Sequence, residues 1–210
     1  MINRGLAGDG VAIAAGFVAG LGLQIGSAFV MLLGGLKEIA IASDGNAAGG
    51  DLAVTFDNTN FNGASLGLNG DAFRTNNVLA GQVAAGDEGS TTLNIINGST
   101  LALTGDFNMS GAGSASADGT SSSANLNFLV DNATFSASNI TLDNGRTTRA
   151  PAGTPDGSPG DINFTVQNSG SVTAGTRTLA VGAFNSVPGG QATAGNVNLL
   201  VDGGVLTLTE

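Results

Sequence analysis

The sequence predicts an all-β chain folded as a stacked parallel β-helix, a β-solenoid of about five to six coils with three short strands per coil. Three observations predict it. A short alternating strand returns from Leu52, Leu93, Leu126, Ile162 and Val197, in steps of 41, 33, 36 and 35 residues, a period that points to a solenoid. The chain carries 35 Gly and only 10% charged residues, with abundant Ser, Thr, Asn and Asp that favour turns and strands over helices. Gly/Ser-rich runs of variable length separate strands of constant length, as loops on a solenoid do.

Residues 1–49 read as one or more divergent first coils. Val11 precedes Leu52 by the same step that separates Leu52 from Leu93, Ile25 matches the third-side column, and residues 38–43 alternate like a strand. An alternative is a hydrophobic anchor. No charged residue interrupts residues 11–36, long enough to span a bilayer, and Gly16-x-x-x-Gly20 and Gly22-x-x-x-Gly26 have the form of helix-packing motifs. A signal segment starting from Arg4 is a variant of that alternative, although Asp9 and the glycines make a poor apolar centre.

Residues 50–210 carry the repeats, the last of them incomplete. In each first strand the alternating apolar residues point to one face, as in Leu52/Val54/Phe56, Leu126/Phe128/Val130, Ile162/Phe164/Val166 and Val197/Leu199/Val201. Phe56, Phe128, Phe164 and Leu199 are therefore core positions. The second residue is Asn in four copies, so Asn94, Asn127, Asn163 and Asn198 form an outward amide row. A polar pair then turns a corner: Asp57-Asn58, Asn97-Gly98, Asp131-Asn132, Gln167-Asn168, Asp202-Gly203. A second strand follows with one bulky inward residue: Phe61, Leu101, Phe135, Val172 or Leu206. A third presents Leu66/Leu68, Phe107/Met109, Ile140/Leu142 and, three positions late, Leu179/Val181, implying a wider turn near Gly175. Each copy ends in a Gly/Ser/Ala-rich run, such as residues 110–124, 144–160 and 182–195, expected to project as a loop.

One repeat cannot offset the ordering of its own residues, which costs about 1–2 kcal/mol each. Neighbours above and below must cover its Phe, Leu and Ile, each worth about 1.5–3 kcal/mol when buried. Stacked about 4.8 Å apart, six coils would reach roughly 29 Å.

Six basic against sixteen acidic residues give a formal charge of −10, which disfavours a phosphate backbone and so excludes nucleic acid as a partner. The chain has no Cys and no His, which excludes a disulfide framework and thiolate metal sites. With three glutamates (Glu38, Glu88, Glu210) and a single lysine (Lys37), no base, nucleophile activator or oxyanion partner stands out. The recurrent Asp51/Asp161 and Asp57/Asp131/Asp202 read as turn chemistry rather than paired catalytic carboxylates. Asp44-Gly45-Asn46 and Asp87-Glu88 offer oxygens to calcium but form no spaced ligand loop, so neither metal nor cofactor is expected. Thr207-x-Thr209 starts a threonine row that does not recur in register.

The stretches GDINFTVQNSGSVTAGTRTLAVGA and GNVNLLVDGGVLTLT resemble the repeat region of filamentous-haemagglutinin-type exoproteins and related autotransporter passengers. The resemblance covers residues 50–210 and is one of repeat style. It implies a right-handed β-helix acting as the non-catalytic shaft of an exported bacterial adhesin, secreted or at the outer surface. Its loops would contact host or neighbouring-cell surface glycans or proteins, and a dedicated translocator would be its only link to a membrane. The family's Asn-Pro secretion motif and terminal barrel are absent from these residues. Since β-helices include polysaccharide-cleaving enzymes, a carbohydrate-active lyase or hydrolase fragment is the alternative reading. Unpaired strand edges at the coil ends suggest end-to-end self-association.

Overall fold

The computed structural model describes residues 3–7, 10–14, 36–37, 40–42, 47–48, 51–69, 72–74, 84–87, 90–111, 113–115, 119–123, 125–148, 152–153, 159–185 and 187–209. Their regular structure is entirely β, and every pair formed between two strands from Leu36 onward is parallel, along a β-solenoid. Strands Leu52–Asp57, Thr91–Ile96, Leu126–Asp131, Ile162–Gln167 and Val197–Asp202 hydrogen-bond in that order as the first face. The second face stacks Asn60–Gly63, Thr100–Leu103, the first halves of Thr134–Asp143 and Ser171–Ala180, and Val205–Leu208. The third stacks Leu36–Lys37, Leu66–Asn69, Phe107–Ser110 and the second halves of the same two long strands.

Each turn carries more strand than the expected three segments. A short ladder joins Ala40–Ala42, Ala72–Arg74, Gly113–Ala115, Arg146–Thr148 and Ala183–Asn185, and another joins Ala47–Ala48, Ala84–Asp87 and Gly119–Ser121. The Gly/Ser-rich runs thus begin by pairing with their neighbours. Small side chains do not prevent this, because ladder bonds use only the backbone.

The number of turns is also lower than the five to six expected. Among the described residues, five strands form the first face and those from Thr91, Leu126 and Ile162 are covered on both sides, so the described stack amounts to about three full turns. Beyond the Ile162 turn, the described strands are Val197–Asp202 and Val205–Leu208. Before the Leu52 turn, Gly10–Ala14 pairs antiparallel with Asn3–Ala7 and with Ala40–Ala42, so Val11 does not begin a parallel first-face strand. Ile25, the glycine motifs and most of residues 11–36 lie outside the described residues. Among the described residues no helix is long and apolar enough to cross a membrane.

Register differs from the sequence alignment in two places. The second copy starts at Thr91, not Leu93: Thr91 pairs with Leu52 and Leu126, while Leu93 pairs with Val54 and Phe128. Thr91 is fully buried at the head of its strand, with its hydroxyl 3.5 Å from the Ser110 carbonyl. On the third face Leu179 pairs with Leu142 and Arg177 with Ile140, so there is no widening at Gly175. The extra residue sits in the first corner, where Asn168 and Ser169 both adopt positive φ (51° and 66°). Asn97 and Gly98 make the same enlarged corner, whereas Asn58 and Asn132 turn with one such residue each. Asparagine recurs there because its short amide tolerates the left-handed region.

The interior is a set of apolar columns. Phe128 and Phe164 are stacked on the first face with ring centroids 4.7 Å apart, and Phe107 and Phe135 close on Phe128 at 5.2 and 5.1 Å. Aromatic residues from all three faces and two successive turns therefore meet, and each ring adds packing beyond its buried area. Phe56, Phe128 and Phe164 are buried, with Phe164 at 0% exposure. Leu199 is the exception among the expected core positions. It points along the same column but is 42% exposed, because among the described residues no strand stacks on the far side of Val197–Asp202. At the second corner, Gly105 and Gly175 let carbonyls approach closely: an added Cβ would stand 2.7 Å from the Ala64 oxygen and 2.6 Å from the Ser138 oxygen.

Candidate functional surface: the polar ladders

The outward second position of the first face aligns Ala53, Thr92, Asn127, Asn163 and Asn198. Asn198 donates its Nδ2–H to Asn163 Oδ1 at 2.9 Å, Asn163 donates to Asn127 Oδ1 at 2.9 Å, and Asn127 donates to Thr92 Oγ1 at 3.3 Å. Donation runs in one direction along the stack, so each inner amide uses one donor and one acceptor on its neighbours. Asn94 lies in a different row, facing Thr55 and Leu129, and donates to Thr55 Oγ1 at 3.3 Å. The expected four-membered amide row is thus corrected to three amides and a threonine. The two-residue register shift of the second copy moved Asn94 along the strand by one outward position.

The aspartates occupy the corners. At the entry to the first face, Asp51 Oδ1 accepts from the Ser90 N–H at 2.8 Å, and Asp161 Oδ1 accepts from both the Asn196 N–H at 2.8 Å and its Nδ2–H at 3.1 Å. Asn125 fills the same row and accepts from the Asp161 N–H at 2.9 Å. At the exit, Asp57 accepts from Asn97 at 2.8 Å, and Asp131 takes Gln167 on Oδ2 and Asn168 on Oδ1, both at 2.9 Å. These two bonds, Gln167 first, hold the Asp131 carboxyl below its ordinary value by stabilising the charged form, against a small opposing effect of burial. A third ladder runs Asp106, Asn139, Thr176, with bonds of 2.7 and 2.6 Å.

Carboxylates engaged in this way join one turn to the next. Among the described residues no three Asp, Glu, His or Cys side chains are grouped closely enough to hold a metal ion. Of the calcium candidates, residues 43–46 and Glu88 lie outside the described residues. Asp202 closes the exit row beside Gln167, in the open last coil.

Reading the sequence missed the Asp106 ladder and the buried Arg146. The first gave no fixed-spacing signal, because corner length changes between coils. Arg146 is almost fully buried and directs Nε and Nη2 to the Thr193 carbonyl at 3.1 and 2.7 Å. Asn185 meanwhile donates to the Gln191 carbonyl at 2.8 Å and accepts from the Val187 N–H at 3.0 Å. The last Gly-rich run, expected to project, is therefore tied back against the stack at residues 187–193. Along the described flank the large exposed apolar residue is Phe184, at 61%; the others belong to the last coil. Comparison with protein-family models, curated proteins and solved structures finds no match.

Proposed function

We propose that this chain is a non-catalytic structural shaft of an exported bacterial adhesin-like exoprotein, of the filamentous-haemagglutinin or autotransporter-passenger style. The observation that carries this reading is the use of the carboxylates and amides as stacking bonds: Asp51, Asp57, Asp106, Asp131 and Asp161 each bond to the following turn. A rod built this way resists bending through side-chain ladders as well as backbone ones. Its winding is right-handed, following the strong preference of parallel crossover connections. Its place is outside the cell, secreted or on the outer surface, and its contact with a membrane runs through a translocator.

The rod functions by reach and multivalency. Host or neighbouring-cell surface glycans or proteins are met by weak contacts repeated along the flank, whose sum exceeds any single affinity when they engage together. The polar face with its Thr92–Asn198 ladder and the exposed Phe184 are the surfaces available for such contacts. The test is binding of the purified chain to cells and to a glycan array, as free protein and displayed in many copies on beads. Binding by the beads far above the free chain is expected. Absence of binding in the displayed form overturns the adhesin reading, and cleavage of a polysaccharide panel overturns the non-catalytic one.

A further inference from the structure

The first corner is built twice in the same enlarged form. In the second copy Asn97 and Gly98 take φ of 55° and 78°, and in the fourth Asn168 and Ser169 take 51° and 66°. Both asparagines are exposed, and each donates its Nδ2–H to an aspartate one turn earlier: Asn97 to Asp57 Oδ1 at 2.8 Å, Asn168 to Asp131 Oδ1 at 2.9 Å. The two corners differ in the residue after the asparagine. Glycine presents its backbone nitrogen to the preceding side-chain carbonyl with no Cβ in the way, whereas the side chain of Ser169 shields the same nitrogen. The other described Asn-Gly pairs are held differently: Asn62 and Gly63 lie in the strand Asn60–Gly63, and Asn144 is buried to 2% exposure. We propose that Asn97-Gly98 is a site of self-modification by water, at which the amide is converted to a carboxylate and the joint between the Leu52 and Thr91 turns is loosened.

The reaction needs no partner but solvent. Gly98 N loses its proton to hydroxide and bonds to Cγ of Asn97; the Cγ–Nδ2 bond breaks, and ammonia leaves after taking a proton from water. The five-membered imide that results opens when water adds to either of its carbonyls. Addition at Cγ gives aspartate. Addition at the main-chain carbonyl gives isoaspartate, in which the chain runs through the side-chain carbons. In the closed stack the Gly98 N–H is engaged by the Asn132 carbonyl at 2.6 Å, so the first step proceeds from the briefly opened corner, where the exposed position admits water.

The product then opposes closure. Position 97 acquires a carboxylate where Asp57 accepted a donor, and two like charges at hydrogen-bond distance repel. The isoaspartyl form also lengthens the main chain by one atom between bonds that fix the corner on both sides: the Asn58 N–H to the Ile96 carbonyl at 3.3 Å, and the Gly98 N–H to the Asn132 carbonyl at 2.6 Å. Each opening that reacts is therefore kept, and transient opening of one joint becomes a lasting change. The fourth copy makes the same bond from asparagine to aspartate without this reactivity, because serine follows its asparagine.

The test ages the full 210-residue chain in mildly alkaline buffer and maps it by peptide mass spectrometry, with enzymatic methylation to mark isoaspartate. Conversion at Asn97 should run at least about tenfold faster than at Asn168, the factor that a barrier about 1.4 kcal/mol lower confers. Gly98→Ser copies the Asn168-Ser169 corner, where a side chain is accepted at positive φ, and a Cβ added at Gly98 meets nothing within 4 Å. That variant should keep a β-type circular dichroism spectrum and lose the conversion at position 97. Conversion no faster at 97 than at 168 in the parent chain overturns the proposal, whether or not the variant folds. Conversion at the parent rate in a folded Gly98→Ser chain overturns it equally. For the loosened joint, Asn97→Asp should lower the urea midpoint, and adding Asp57→Asn should restore most of the loss by reversing the direction of the bond. A midpoint unmoved by the first change, or not recovered by the second, overturns that consequence and leaves the shaft reading standing.

Discussion

Asn163 donates to Oδ1 of Asn127 across one turn of the solenoid, and in the next turn it accepts the same bond from Asn198. An inner amide in this row therefore has two side-chain partners, whereas Asn94 makes a single 3.3 Å contact with Thr55. Hydrogen bonds of this kind contribute about 0.5–1.5 kcal/mol each. Asn163→Ala should destabilise by about 1–2 kcal/mol, more than Asn94→Ala. Urea unfolding of the two variants checks this, and equal midpoints would remove the ladder as a source of stability.

Phe164 and Leu199 stand in one column, yet one is enclosed and the other half open. Removing a buried Phe ring costs about 3–5 kcal/mol, and an isolated buried carboxylate costs more. Phe164→Asp should unravel the adjoining turns, while Leu199→Asp should shift stability by about 1 kcal/mol or less. Thermal transitions followed by circular dichroism separate the two; an unmoved transition for Phe164→Asp would remove it from the interior.

Asp131 supplies the pH dependence. Its folded pKa lies below the ordinary carboxylate value because Gln167 and then Asn168 donate to the carboxylate. A depressed folded pKa means that the stabilisation is complete above the unfolded value and fades as pH falls through the folded one. Denaturation midpoints between neutral pH and pH about 2 should decline less in Asp131→Asn than in the parent chain. An identical decline in both would remove Asp131 as a contributor.

Gly175 tests the closeness of the second corner. A Cβ added there meets the Ser138 carbonyl oxygen at 2.6 Å, a backbone atom that cannot rotate away. Gly175→Ala should therefore cost about 1–3 kcal/mol, the range for overpacking. Gly182→Ala, where an added Cβ meets nothing within 4 Å, is the matched control. Calorimetry should show the first variant melting earlier than the second.

The alternation of apolar and polar residues determined, without any coordinates, which side chains face inward. Leu126, Phe128 and Val130, then Ile162, Phe164 and Val166, are buried in the order the sequence presents them. The recurring Asp, Asn and Gly pairs marked the first corner because only a few residue types accept its positive φ. Register was another matter. A slip of one residue turns a strand inside out, but a slip of two keeps every side chain on its own face. Leu52 over Leu93 and Leu52 over Thr91 therefore satisfy the same pattern, and only the stacked backbones choose Thr91, moving Asn94 out of the amide row. Nor does a residue's identity tell how far it is covered: Leu199 has the spelling of a core position yet is 42% exposed. Burial belongs to the neighbour above as much as to the side chain, and that neighbour is a property of the assembled stack.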